Sequence, residues 1–184
     1  MGRLIVTQFI TLDGVVEDPD GSDGTPFGGW AMQFGPAAIA GDKFSLASIL
    51  ESGVLLLGRR SWEHFSTLWP TRDDEFSQLM NRARKAVVTS RPLPGGTWAN
   101  STPVAGTLQG WLTETLASKD VAVIGSGSLL PALVEADAVD EYRLLTFPVA
   151  VGSGRRLFGA GARFGLRSAE QSGPAVLSVL DPRG

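Results

Sequence analysis

Three short segments, each trailing an apolar run, carry the residue types that hold anions. Gly58-Arg59-Arg60-Ser61 follows Val54-Leu55-Leu56-Leu57, Thr89-Ser90-Arg91 follows Ala86-Val87-Val88, and Gly125-Ser126-Gly127-Ser128 follows Val121-Ala122-Val123-Ile124. Glycine lets the backbone approach a ligand closely, while hydroxyls and arginines donate hydrogen bonds. A helix start adds free N–H groups and a dipole that favours negative charge. Any one of the three is equally an ordinary solvated turn. Together they predict a site for a ligand with several phosphates, because open α/β sheets bind ligands outside the carboxyl ends of their strands.

The arginines bear on which ligand that is. A 2′-phosphate held by Arg59 or Arg60 and by Ser90 or Arg91 gains charge-assisted hydrogen bonds of about 1.5–3 kcal/mol each. Two of them favour NADPH over NADH by roughly 100-fold or more. Gly125-Ser126-Gly127 is not a dinucleotide fingerprint of the G-x-G-x-x-G kind, since Leu130 stands where the third glycine belongs. The acids Asp140 and Glu141 also fall short of the ~20-residue spacing to the ribose-binding acid.

Other chemistries are excluded by composition. The chain has 184 residues and no cysteine, which removes disulfides, thiolate metal sites and cysteine nucleophiles. Its single histidine, His64, rules out multi-histidine metal sites and reads as an ordinary helix residue. No metal is expected. Sixteen Lys and Arg against nineteen Asp and Glu leave a net charge of -3, without the basic balance of a nucleic-acid binder. A hydrolase or transferase would need a nucleophile–base pair that is hard to assemble here.

The elements that must position these segments alternate. Apolar strands are predicted at 4–10, 54–57, 86–88, 121–124 and 141–147, with helices over 37–50, after 58, over 73–82, over 108–117 behind Thr107 as N-cap, and from 128 to 136. Phe164–Gln171 and Ala175–Leu180 read as a closing hairpin around Ser172-Gly173-Pro174. This pattern predicts an α/β fold whose mixed, mostly parallel central sheet is flanked by helices. No repeat or linker divides it, so 1–184 reads as one domain. From Asp13 to Pro36 the chain turns rich in Gly, Asp and Pro around Trp30 and Phe34, as a loop or lid over a pocket would. The first ten residues carry neither a signal-peptide core nor a membrane span, and cytoplasmic location without membrane association is the expectation.

Thr11-Leu12-Asp13-Gly14, Leu57 to Glu63, Val88 to Arg91, Ile124 to Leu129, Asp140 to Leu144 and Pro148 to Phe158 occur in this order. In these motifs the chain resembles the dihydrofolate reductase superfamily. The nearer branch is the reductase domain of the bifunctional riboflavin-biosynthesis deaminase–reductase. The likeness runs from about residue 3 to 180. It implies a dihydrofolate-reductase-like fold, NADPH as cofactor, hydride transfer to a small pyrimidine- or pterin-like heterocycle, and a homodimer. Gly58, Arg59, Arg60 and Ser61 would hold cofactor phosphates; Thr89, Ser90 and Arg91 would meet the adenosine end. Gly125, Ser126, Gly127, Ser128 and Leu129 would wrap the pyrophosphate and nicotinamide side. The backbone of Val6 and Thr7 would lie near the nicotinamide, and Asp13-Gly14 would border the substrate.

The substrate side departs from the family pattern. The carboxylate that holds the pterin in dihydrofolate reductases has Asp42 as its counterpart within the predicted first helix, where a solvated helix-face acid is the alternative. Asp13 serves equally as a turn cap. Asp13 and Asp42 are thus the candidate catalytic acids. Trp30 and Phe34 are candidates to stack on the substrate ring or simply to anchor their loop. Trp62, at helical spacing from Phe65 and Trp69, reads as core or dimer packing, and Gly152-Ser153-Gly154 as a turn. The zinc-binding deaminase half has no counterpart here. A non-catalytic nucleotide-binding or regulatory module on the same fold stays open beside the reductase.

Overall fold

Leu4, Val6 and Ile10 pack on one side of the first strand and Ile5 on the other, yet all four are buried. A strand buried on both faces must lie inside a covered sheet. The computed structural model, which describes residues 1–182, shows that sheet. Its strands are β1 (Leu4–Thr11), β2 (Val54–Gly58), β3 (Lys85–Val88), β4 (Ser101–Pro103), β5 (Val121–Ile124), β6 (Glu141–Phe147), β7 (Gly165–Ser172) and β8 (Ala175–Asp181). They lie in the order β4-β3-β2-β5-β1-β6-β8-β7. The first six run parallel, and the β7–β8 hairpin adds an antiparallel edge through β6.

The mixed, mostly parallel sheet with a terminal hairpin is therefore the observed architecture. Helices α1 (Ala47–Ser52), α2 (Arg59–Leu68) and α3 (Glu75–Arg82) cover one face with Ile49, Leu50, Trp62, Leu79 and Met80. Helices α4 (Leu108–Leu116) and α5 (Leu130–Glu135) cover the other with Leu112, Leu130 and Leu133. Thr107 accepts a hydrogen bond from the amide of Gly110, as an N-cap should. Among the described residues, no helix is long and apolar enough to cross a membrane.

Three details correct the sequence reading. The helix expected over 37–50 is a single 3-10 turn at Pro36–Ala38, an irregular stretch, and then α1. Gly41 (φ +77°) and Ser45 (φ +53°) adopt left-handed backbone that no helix can contain. The Pro- and Gly-rich stretch after residue 91 contains a short strand, β4, that alternation does not reveal. Consequently Thr89-Ser90-Arg91 leads into a loop and β4, not directly into a helix.

Lys85 pins this region together. It is 1% exposed, and its ammonium donates to the carbonyls of Asn81 (3.0 Å), Ala83 (2.8 Å) and Ala99 (3.0 Å). The nitrogen also lies 4.3 Å from the centre of the Trp98 ring. Burial pushes the Lys85 pKa down from 10.5 to about 8. Between these values the folded chain holds fewer protons than the unfolded one, so this group's contribution to stability rises as pH climbs through that window. Lys85→Ala is expected to cost about 2–4 kcal/mol, lowering Tm by roughly 5–15 °C, because three carbonyls lose their donor. Calorimetry across pH checks both effects. A variant as stable as the parent, with the same pH dependence, would show that the ammonium contributes nothing.

Candidate functional site

The three anion-friendly segments end consecutive strands, β3, β2 and β5, so their loops meet at one sheet edge. Strand β5 lies between β1 and β2, where the winding of the sheet reverses and α/β folds open a crevice. The loops are hydrogen-bonded to one another. The amide of Gly58 donates to Ser126 Oγ (3.0 Å), and the amide of Ser126 donates to Ser61 Oγ (2.9 Å). Gly125 and Ser126 both have positive φ, +60° and +55°. That turn is why glycine stands at 125. A Cβ at Gly127 would collide with the guanidinium of Arg155, which lies against it. Helix α2 begins at Arg59 behind Gly58, and among the described residues no side chain caps its first amides.

Arg59 and Arg60 point to different places. Arg59 donates to Thr89 Oγ1 (3.3 Å) and to the carbonyls of Arg91 (3.3 Å) and Pro92 (3.0 Å), tying the loop after β3 to α2. With Thr89, Ser90, Arg91, Val104, Gly106 and Leu108 it lines a surface pocket of about 370 Å³. The N-terminus of α4 therefore reaches this pocket from the neighbouring connection. Arg60 instead faces a larger cleft of about 510 Å³, which Ser61, Gly125, Ser126, Gly127 and Ser128 also line. The cofactor candidates are thus divided between two adjoining hollows.

The far half of the large cleft was not legible in sequence. Phe9, Phe44, Phe65, Trp69 and Phe76 line it, together with Ile39 and Leu68. Phe65 and Trp69 line the cleft, whereas Trp62 is core and donates from its indole to Ser101 Oγ. Four-residue spacing brings Trp69, in the turn after α2, to the same side as Phe65, and Phe76 of α3 packs edge-on against Trp69 to complete that wall of the cleft. His64 also lines the cleft, with Nε2 at 2.9 Å from Asp20 Oδ2. That separation is within ion-pair range, but the nitrogen makes no aligned hydrogen bond.

The long loop after β1 closes over this cleft. Its hub is Asp18, 3% exposed, whose carboxylate accepts from the amides of Asp23 (2.8 Å) and Thr25 (2.9 Å) and from Thr25 Oγ1 (2.7 Å). Burial opposes its charge, but those bonds and the charge of Arg60 hold its pKa below the ordinary carboxyl value. A Cβ at Gly28 would run into that carboxylate, so the loop requires glycine there. Two contacts clip the loop to α2: Asp20 with His64, and Asp23 with Arg60 at 3.2 Å.

The expected substrate-side residues are placed elsewhere. Trp30 is fully buried, donates from its indole to the Glu17 carbonyl, and packs edge-on against Phe147. Phe34 packs against the same Phe147. Both anchor the loop and neither lines the cleft, so the stacking expectation is corrected to its alternative. Asp42 accepts from the amides of Leu46 (2.7 Å) and Ala47 (2.8 Å) and starts α1. Asp13 accepts from Thr11 Oγ1 (2.5 Å) and from the amides of Gly152 (2.8 Å) and Val151 (3.3 Å), bonds that lower its pKa. Gly14 (φ +83°) completes that turn. Asp13, Gly14 and Asp42 are all absent from the cleft lining. Val6 and Leu129 bury their side chains in the opposite core, while Thr7 lines the cleft and bonds to the Val123 carbonyl (3.0 Å).

Comparison with known proteins bears on the fold. Residues 111–178 match the family model of the RibD C-terminal domain. No curated protein sequence matches the chain. Among solved structures, a protein assigned to riboflavin biosynthesis from Shewanella sp. PV-4 is 19% identical, with a TM-score of 0.72 over 97% of this chain and 98% of that one. The diaminohydroxyphosphoribosylaminopyrimidine deaminase/5-amino-6-(5-phosphoribosylamino)uracil reductase from Thermotoga maritima is 12% identical, with a TM-score of 0.63 over 98% of this chain. RibD from Acinetobacter baumannii is 15% identical, with a TM-score of 0.65 over 99% of this chain. The chain spans 56% and 58% of these last two proteins. It has the fold of the RibD reductase-like proteins.

Proposed function

We propose, from a chain that shares the RibD reductase fold, that this protein is an NADPH-dependent reductase acting on a small heterocycle. The observation that carries the reading is the junction of the loops after β2 and β5 by the Gly58–Ser126–Ser61 hydrogen bonds, with the loop after β3 tied to them by Arg59. The residues present fit a phosphorylated dinucleotide: uncapped α2 amides, a glycine-serine turn with positive φ, and a separate basic pocket beside Arg91. Arg91, Ser90 and Thr89 would take the 2′-phosphate, and Arg60, Ser61 and residues 125–128 the pyrophosphate. NADPH, when bound, would supply hydride to a C=N or C=O carbon and leave as NADP+. Thr7 and the residues around it would orient the two rings, and the loop held by Asp18 would exclude water. With the Asp13 and Asp42 carboxylates committed to backbone amides, proton delivery to the heteroatom falls to water or His64. The reading includes a homodimer and cytoplasmic location.

Saturable quenching of tryptophan fluorescence by NADPH, with NADH binding weaker by at least about tenfold, is the expected result. Equal binding of the two would remove the 2′-phosphate from Arg91 and its neighbours. Because Asp23 competes for Arg60, Asp23→Asn is expected to tighten NADPH binding by at most about fivefold, since Arg60 is exposed and such pairs are weak. That gain should shrink as salt is raised. Weaker binding in this variant would show that Asp23 supports the site. A non-catalytic nucleotide-binding module is the second reading, favoured by the absence of Asp13 and Asp42 from the cleft. Tight NADPH binding without turnover across a panel of heterocycles would select it.

A further inference from the structure

One arginine from outside the three strand-end segments reaches into them. Arg155 stands between β6 and β7 in the chain, yet it lines the large cleft beside Ser61 and residues 125–128. Its Nη1 lies against the backbone of Gly127, where an added Cβ would strike that guanidinium alone. Gly127, unlike Gly125, does not have a positive φ. Glycine is therefore needed at 127 for the close approach of the arginine, not for the shape of the turn.

Glu17 fixes the arginine in this place. One of its carboxylate oxygens accepts from the backbone amide of Arg155 (2.8 Å) and the other from Nη2 (3.1 Å). Among the described residues Nε and Nη1 meet no acceptor, so the guanidinium keeps donors to spare beside the turn. The amides of Gly127 and Ser128 have no acceptor there either, whereas that of Ser126 is taken by Ser61. Successive free amides beside a guanidinium suit an oxyanion. Fastening the loop does not require this arrangement, because Glu17 already holds the Arg155 backbone.

We infer that Arg155 is a further cofactor-binding residue, donating to the diphosphate that joins the two nucleosides. The inference rests on the dinucleotide reading and adds to it a residue that none of the three strand ends supplies. Glu17 keeps Nη2, and Nη1 is left for a phosphate oxygen. NADPH and NADH both carry this diphosphate, so Arg155 contributes affinity without choosing between them. The choice belongs to the pocket around Arg91.

Calorimetric titration of the parent and of Arg155→Ala with NADP+, NAD+ and adenosine 2′-monophosphate tests it. The variant is expected to lose about five- to twentyfold in affinity for both dinucleotides at low salt. The low end of a charge-assisted bond applies because the side chain is 40% exposed. Adenosine 2′-monophosphate, which lacks a diphosphate, should change by less than about twofold. Unchanged NADP+ binding would overturn the inference and leave the dinucleotide reading standing. An equal loss of adenosine 2′-monophosphate would overturn it as well, since the arginine would then act on the whole site. Gly127→Ala, which pushes the guanidinium aside, should weaken NADP+ about threefold or more in the parent and no further in Arg155→Ala. Additive losses would mean that the methyl group acts without the arginine, and count against the inference. If neither dinucleotide binds the parent, the dinucleotide reading fails and inorganic pyrophosphate decides: binding that Arg155→Ala abolishes keeps the diphosphate site, and any other result removes it.

Discussion

Replacing Glu141 with alanine is expected to cost about 3–5 kcal/mol of stability, or roughly 6–20 °C in Tm. Its carboxylate, on a residue 3% exposed, accepts from Arg3 Nη1 (3.0 Å), Arg143 Nε (2.7 Å) and Arg167 Nη1 (3.2 Å). Arg3 and Arg167 have second partners in Asp120 and Asp181. Arg143 has none among the ion pairs of the described residues, and its side chain is largely buried. Removing Glu141 leaves that guanidinium uncompensated in a poorly solvated place, which is where the cost arises. The same guanidinium donates to the carbonyls of Phe44 and Ser45, both at 2.7 Å. Loss of Glu141 should therefore also loosen one aromatic wall of the cleft. Denaturant titration of Glu141→Ala and Glu141→Gln checks this, with glutamine costing less because it keeps an acceptor. A loss below about 1 kcal/mol for alanine would mean that the cluster behaves as a surface network.

Arg91→Ala is expected to weaken NADPH about tenfold, and Ser90→Ala with Arg91→Ala about 100-fold at low salt, with NADH unchanged. The single-variant figure is at the low end for a charge-assisted bond because Arg91 is exposed. Arg59→Ala provides a contrast. Its guanidinium holds Thr89 and the carbonyls of Arg91 and Pro92, so its loss should displace the whole loop and weaken NADPH and NADH together. Fluorescence titration with both coenzymes separates the outcomes. A loss of NADH affinity in Arg91→Ala as large as that of NADPH would remove this arginine from 2′-phosphate selection.

Much of this protein follows from local signals. Apolar runs buried on both faces require covered, mostly parallel strands, and the glycine, hydroxyl and arginine residues at three strand ends mark an anion-friendly edge. Those features are short-range: a residue's neighbours in sequence decide whether a run forms a strand and whether its end can approach a ligand. The hairpin around Gly173 and the Thr107 cap were legible for the same reason. Strand β4 was not, because three residues ending in Pro103 have no period of their own and form a strand only against β3.

What only the tertiary structure decided is the partnership of groups far apart in the chain. Asp13 and Asp42 look alike in sequence to acids that serve a substrate. Which amides come within reach is set by the packing of residues 151–152 and by the start of α1, and those amides claim both carboxylates. Trp30 and Phe65 are likewise both large aromatics near helices or loops, and their different fates depend on where Phe147 and α3 lie. Burial, unlike periodicity, is a sum over distant neighbours, so the aromatic cleft, the Asp18 hub and the Glu141 cluster became visible only once the sheet order had brought their parts together.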